Sequence, residues 1–171
     1  MIHCYTGNGK GKTTAALGLA FRAAGSQWNT CIIQFIKGPW PTGELEAAKN
    51  FPQIDIIPAG KGFYKIQDDN LPEEEHQQAA QEALETIKER IHSGKYSLII
   101  LDEVNVAVDM GLIQPEKIVG ILQSAPKGIH FVLTGRNAPK IFTELADLVT
   151  SMKEIKHPFQ KGEKAQKGLD F

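Results

Sequence analysis

The chain has 171 residues, of which 42% are hydrophobic and 23% are charged, a composition typical of one globular domain. Lys and Arg number 19 against 20 Asp and Glu, a balance that argues against a nucleic-acid-binding protein with a basic surface. No apolar run approaches the ~20 residues of a membrane span, and no signal peptide is recognisable, so we expect a cytoplasmic protein. Cys4 and Cys31 stand alone in apolar runs, as reduced and buried thiols do.

Short apolar runs bounded by glycine and proline alternate with helical patterns along the chain. Predicted strands occupy residues 2–5, 30–36, 54–57, 97–101, 129–133 and 148–152. Two helices are clearest, over residues 13–24 and 72–92, and the second repeats apolar residues at three- and four-residue spacing. The alternation predicts an α/β fold with a mostly parallel sheet, in a single domain over residues 1–171. Two long irregular stretches, 37–43 and 59–71, are candidates for functional loops.

A glycine-rich segment, TGNGKGKTT, follows the first predicted strand and leads into the first helix. It matches the phosphate-binding pattern G-x-x-x-x-G-K-[ST], except that Thr6 stands where the pattern has its first glycine. The backbone amides of such a loop and the following helix N-terminus bind anionic oxygens. Lys12 is placed to contact phosphates, and the Thr13 hydroxyl is suited to bind Mg²⁺.

The predicted strand at 97–101 is followed by two acidic residues, Asp102 and Glu103. Ligands bind at the carboxyl edge of parallel sheets, so these carboxylates are expected beside the phosphate loop. Asp102 is predicted to bind or orient Mg²⁺, and Glu103 to ligate the metal or act as a base. Strands that end in acidic residues are common, and it is the combination with the loop that indicates a Mg-nucleotide site.

Two arginines are further candidates for binding anions. Arg136, in the turn after the strand at 129–133, either reaches the nucleotide or a second anionic substrate, or is a surface arginine in a tight turn. Arg22, on the helix after the loop, fits a nucleotide contact and a surface salt bridge equally well. The five histidines share no metal-ligand spacing, so no zinc site is predicted. The residues alone therefore indicate a P-loop protein that binds Mg-ATP.

Several segments together make the chain similar to one family. TGNGKGKTTAALGLA, QFIKGPWPTGE, ILDEVN, LTGRNAP and KHPFQKGEKAQKG resemble the P-loop type of ATP:cob(I)alamin (corrinoid) adenosyltransferases, in order and over nearly the whole chain. The resemblance implies a P-loop NTPase (RecA-like) fold of about six strands with helices on both faces. It implies an enzyme that transfers the 5′-deoxyadenosyl group of ATP to the Co(I) centre of a corrinoid and releases triphosphate. The product is then adenosylcobalamin or an adenosylated precursor.

The same resemblance implies roles for individual residues. The loop holds ATP in a reversed orientation, and Thr6 belongs to the family's form of the loop. The implied catalytic residues are Lys12, Thr13 and Glu103, and Thr13, Glu103 and Asp102 are the expected ligands of Mg²⁺ or Mn²⁺. The residues expected to bind ATP or corrinoid are Gly7, Asn8, Gly9, Lys10, Gly11, Lys12, Thr13, Thr14, Arg22, Arg136, Trp40, Phe63 and Tyr64. Implied partners are a second subunit in a homodimer and a transient flavoprotein or flavin reductant, with no nucleic acid and no membrane.

Two departures from the family pattern concern the corrinoid. Typical members carry a segment ahead of the first strand that helps to cover the active site, whereas this chain begins at Met1, so we expect closure over the corrinoid to depend on the partner subunit or on other loops, or to be weaker. Many members place Phe-x-Trp in the loop that faces the corrinoid, where this chain reads Gly62-Phe63-Tyr64-Lys65. The chain thus keeps the Phe and lacks the Trp. In the family the aromatic side chain of this loop helps to displace the lower cobalt ligand, so we expect the missing Trp to affect the activation of Co(II).

Two other functions fit the residues and predict different products. A P-loop enzyme that hydrolyses ATP or transfers a phosphoryl group, with Glu103 activating water or an acceptor, releases phosphate or ADP instead of triphosphate. A carrier without turnover binds nucleotide or corrinoid and forms no photolabile cobalt–carbon bond.

Overall fold

Six parallel strands form one sheet in the structure, a computed structural model that describes residues 1–38, 40–62 and 71–169. The strands lie in the order β3-β2-β4-β5-β1-β6, and every neighbouring pair is parallel. Their bounds are β1 (Ile2–Thr6), β2 (Thr30–Gln34), β3 (Ile54–Pro58), β4 (Leu98–Asp102), β5 (His130–Thr134) and β6 (Leu148–Ser151). The predicted α/β fold with a parallel sheet is therefore confirmed.

The described residues form six α-helices and one short 3-10 helix. These are α1 (Lys12–Gly25), α2 (Gly43–Ala48), α3 (Glu73–His92), α4 (Val104–Asp109), α5 (Pro115–Ser124), α6 (Lys140–Leu145) and the 3-10 helix (Pro158–Lys161). The two helices predicted from sequence correspond to α1 and α3. β2 ends two residues earlier than predicted, because the chain bends at Phe35 and Ile36. No helix within these described ranges is long and apolar enough to cross a membrane.

The central strands are apolar on both sides because helices cover both faces of the sheet. In β4, Ile99 and Leu101 pack in the larger core cluster with α3, α4 and α5. Leu98 and Ile100 face the opposite side, where they pack in a smaller cluster with alanines of α1. This packing explains why LIIL has no polar alternation, and it buries Cys4 and Cys31 as free thiols.

The first strand lies inside the sheet, between two strands from the end of the sequence. β1 pairs with β5 on one side and with β6 on the other. Because all strands are parallel, the loop after β1, the acidic pair at the end of β4 and the turn after β5 meet at one edge of the sheet. The fold thus brings together the three motifs that sequence analysis connected with ATP.

Candidate functional site

The phosphate loop packs tightly against the chain that leaves β6. A Cβ atom on Gly7 would lie 2.4 Å from the Met152 carbonyl oxygen, and one on Gly9 would lie 2.8 Å from the Lys153 carbonyl carbon. The Gly9 N–H donates to the Met152 carbonyl oxygen at 2.7 Å. Gly7 also has a φ of 94°, which disfavours any residue with a side chain. Packing against the chain therefore requires glycine at both positions, independently of any ligand.

Thr6, which departs from the usual loop pattern, has a contact of its own. Its hydroxyl oxygen accepts a hydrogen bond from the backbone N–H of Ala138 at 3.2 Å. Ala138 follows the turn that contains Arg136, so Thr6 joins the start of the loop to that turn. A glycine at position 6 would lack the acceptor.

Lys12 is buried beneath the loop, and its side chain turns back onto the loop backbone. The ammonium donates to the carbonyl oxygens of Gly7 and Gly9, at 2.7 Å each. Burial lowers the pKa of Lys12, Glu103 opposes this shift, and Arg136 adds to it. A buried cation of this kind is stabilised when an anion enters the loop.

Asp102, at the end of β4, accepts hydrogen bonds on both carboxylate oxygens. Oδ1 accepts from the hydroxyls of Thr13 at 2.8 Å and Thr134 at 2.7 Å. Oδ2 accepts from Nε2 of Gln34 at 3.3 Å, since Gln34 of β2 pairs in register with Asp102. Three strands and the first turn of α1 thereby fix one buried carboxylate beneath the phosphate loop.

Glu103 follows in a left-handed conformation, with a φ of 61°. Its backbone N–H donates to the Thr134 hydroxyl at 2.9 Å, so the same hydroxyl holds both acidic residues. Burial raises the pKa of Glu103, the neighbouring Asp102 raises it further, and Lys12 and Arg136 oppose the shift. Two carboxylates are thus held close together, an arrangement that a divalent cation would stabilise.

A pair of oppositely charged residues, Lys37 and Glu44, lies in the same region. Lys37 donates to Glu44, and Nε2 of Gln34 donates to the same Glu44 oxygen at 3.3 Å. Burial would raise the pKa of Glu44, but the hydrogen bond from Lys37, supported by Gln34, lowers it below its usual value. Gln34 therefore joins this pair to Asp102.

These groups surround a cleft of about 550 Å³. Its walls combine the predicted loop residues with side chains that sequence analysis had not selected. The lining includes Asn8, Gly9, Lys10, Gly11, Lys12, Thr13, Thr14, Lys37, Glu44, Glu103, Arg136, His157 and Leu169. An adjoining cleft of about 590 Å³ shares Lys10, Arg136, His157 and Leu169. The volume is sufficient for a polyphosphate, and its lining is rich in cations and backbone amides.

Two predicted site residues lie elsewhere. Arg22 is ten residues beyond Lys12 on α1, about 15 Å along the helix axis. It lines a separate pocket with His3 and His130, and the structure does not bring it to the cleft. Trp40 is 54% exposed and its ring lies against Gly62, where a Cβ atom would approach within 2.6 Å.

The remaining two predicted residues, Phe63 and Tyr64, lie outside the described residues. Sequence analysis missed Gln34, Lys37, Glu44, Thr134 and His157 as parts of the site, although it quoted the segments that contain them. Gln34 carried a detectable signal, because it is a polar residue that ends an apolar strand, TCIIQ. The contact between Thr134 and Asp102 depends on which strands are neighbours in the sheet, and the sequence alone does not reveal that order.

Known proteins resemble the chain over its whole length. The family model described as "ATP:corrinoid adenosyltransferase BtuR/CobO/CobP" matches residues 1–171. A corrinoid adenosyltransferase of Sinorhizobium sp. is 41% identical over 174 residues, covering 100% of this chain and 80% of that protein. One of Pseudomonas aeruginosa is 35% identical, covering 98% and 81%. One of Escherichia coli K12 is 33% identical, covering 100% and 85%.

Proposed function

The chain belongs to the ATP:corrinoid adenosyltransferases, and we propose that the cleft beside the phosphate loop is where it acts. The enzyme transfers the adenosyl group of ATP to a corrinoid. The observation that supports this location is the convergence of the glycine loop, the buried Lys12 and the Asp102–Glu103 pair on one cleft.

The proposed reaction is a displacement at the 5′ carbon of the ribose. The electron pair of Co(I) forms the cobalt–carbon bond, and the carbon–oxygen bond to the triphosphate breaks. The cobalt becomes formally Co(III), and the released electron pair leaves with the triphosphate. Because Co(I) is itself the nucleophile, no general base is needed. The protein has to orient the 5′ carbon, stabilise the leaving group and exclude water.

Lys12 and the loop amides are placed to stabilise the leaving triphosphate. The ammonium is held by two carbonyl oxygens, so its position is fixed before ATP binds. Asn8 and Lys10 line the same cleft from the loop, and Arg136 lines it from the turn after β5. We expect these groups to receive the charge that develops as the triphosphate leaves, with Lys12 already held in position by its two hydrogen bonds.

A Mg²⁺ or Mn²⁺ ion fits the remaining groups of the site. Thr13, Asp102 and Glu103 offer a hydroxyl and two carboxylates, the oxygen ligands that these ions prefer. Oε1 of Gln34 is buried and lacks a hydrogen-bond partner among the described residues, so it can accept from a metal-bound water. The ion would neutralise charge on the triphosphate, and Asp102 would hold the Thr13 hydroxyl in place for it.

The corrinoid is proposed to lie over the carboxyl edge of the sheet, near Trp40. In that region Gly38 and Gly62 pack on the Trp40 ring and join two irregular segments. Phe63 and Tyr64 follow in sequence, and their contact with the corrinoid stays a prediction. A homodimer, a flavoprotein or flavin reductant and a cytoplasmic location are proposed from the family resemblance alone.

The test is incubation of the protein with MgATP and a chemically reduced corrinoid. We expect loss of the Co(I) absorbance, a photolabile product and one triphosphate for each adenosylated corrinoid. Chromatography of labelled ATP identifies the leaving group, and Lys12→Ala serves as the control for the site. Corrinoid-dependent ADP would contradict the proposed reaction, and equal rates in the two proteins would contradict the proposed location.

A further inference from the structure

The C-terminal segment (residues 152–169) is part of the wall around the phosphate loop. It starts at the Met152 carbonyl, which accepts from Gly9, and continues through the 3-10 helix (Pro158–Lys161). Its far end brings Leu169 to the cleft. The segment therefore contacts the loop at Gly9 and lines the same cleft as the loop at Leu169.

His157 lies in this segment, and its hydrogen bonding fixes which ring nitrogen carries the proton. Nδ1 accepts from the backbone N–H of Phe159 at 3.2 Å, directly before the 3-10 helix. An amide N–H can only donate, so Nδ1 has no proton in this contact. The neutral ring then carries its proton on Nε2, which is a hydrogen-bond donor.

The residues around His157 indicate which kind of ligand its Nε2–H can bind. The half-buried ring lines both adjoining clefts, together with Lys10 and Arg136. The nearby acidic side chain of Glu154 already accepts from Gln160 at 2.8 Å. Three donor-bearing side chains, Lys10, Arg136 and His157, thus line the same cleft as Lys12, a pattern suited to an anion with several oxygens.

We propose that His157 is a further ATP-binding residue, whose Nε2–H donates to a phosphate oxygen of the triphosphate. The inference rests on the proposed function, because it takes this cleft to hold ATP. The hydrogen bond closes the side of the triphosphate that the glycine loop leaves open. It also links binding of the leaving group to the position of the C-terminal segment.

Two substitutions separate this role from a structural one. In His157→Asn, the side-chain oxygen can still accept from the Phe159 N–H, but the donor at the Nε2 position is lost. In His157→Gln, the amide nitrogen reaches the Nε2 position, while the acceptor for Phe159 is lost. A residue that binds phosphate is impaired more by Asn, whereas one that only caps the 3-10 helix is impaired more by Gln.

The measurement is calorimetric binding of MgATP and of inorganic triphosphate with Mg²⁺. We expect His157→Asn to weaken both affinities by about tenfold or more, as for a lost hydrogen bond to a charged group. His157→Gln should bind more tightly than His157→Asn. His92→Asn, on the exposed surface of α3, is the matched control and should bind as wild type does.

The outcomes keep this inference separate from the proposed function. Weaker binding of MgATP with unchanged binding of triphosphate would overturn it, because the contact would then be to the nucleoside. Wild-type affinity in His157→Asn, or a larger loss in His157→Gln, would also overturn it. Corrinoid-dependent ADP from the wild-type protein would refute adenosyl transfer while leaving the triphosphate contact intact.

Discussion

The Thr134 hydroxyl is a single group that holds both acidic residues of the site, so its removal is a direct test of the structure. It donates to Oδ1 of Asp102 at 2.7 Å and accepts from the Glu103 N–H at 2.9 Å. Thr134 is fully buried, with 0% exposure, so water cannot replace either bond. Thr134→Val keeps the shape of the side chain and removes the hydroxyl.

The expected loss follows from the two groups left behind. Asp102 keeps donors from Thr13 and Gln34, whereas the Glu103 N–H loses its acceptor. Removing a buried partner costs about 1–3 kcal/mol for each group, and the two effects share one network, so we expect roughly 2–4 kcal/mol of unfolding free energy. For a domain of this size that corresponds to a melting temperature lower by roughly 5–15 °C.

Urea unfolding measures the stability, and adenosyl transfer below the melting transition measures the site. Transfer by Thr134→Val should fall by about tenfold, because Glu103 is no longer held in its left-handed conformation and loses its place beside the proposed metal ion. Thr134→Ser keeps the hydroxyl and should lose only about 1 kcal/mol for the missing methyl group. A Val variant within about 0.5 kcal/mol of wild type, or a Ser variant equally unstable, would refute the hydrogen-bond argument.

Three further changes test the other parts of the site. Lys12→Ala should lower kcat/KM for adenosyl transfer by at least about tenfold, with the melting curve showing the fold retained. Because burial and Asp102 raise the pKa of Glu103, folding is opposed increasingly as pH rises through that raised pKa. Glu103→Gln should therefore raise the melting temperature at about pH 8 but not at about pH 4, and weaken the dependence of transfer on Mg²⁺. Gly9→Ala should abolish ATP binding in calorimetry, since its Cβ atom would lie 2.8 Å from the Lys153 backbone; wild-type affinity would contradict the packing described.

The sequence predicted those elements of the fold best whose burial determines the pattern of their apolar residues. The strand LIIL is a short, uninterrupted apolar run and the helix α3 carries an amphipathic periodicity, and the observed bounds of both elements agree with the predicted ones within about a residue. The short helices α2, α4 and α6 have six residues each, too few for a periodic apolar face to be recognised. Their positions follow from tertiary packing instead.

The site was predictable only in part, for a related reason. Lys12, Thr13 and the acidic pair belong to local motifs, so their types and spacing indicate their chemistry directly. Gln34 contacts Asp102 across 68 positions of sequence, and Thr134 contacts it across 32. Such contacts depend on which strands are neighbours, and no local pattern encodes strand order.

The position of β1 between β5 and β6 has a consequence during synthesis. A ribosome that has produced only the first hundred or so residues has made the whole glycine loop, yet neither strand that flanks β1 exists. The amide of Gly9 has no Met152 carbonyl to meet until the last strand has emerged. We therefore expect a nascent chain to hold ATP only once β6 has been made, so that nucleotide binding reports that translation has passed this strand.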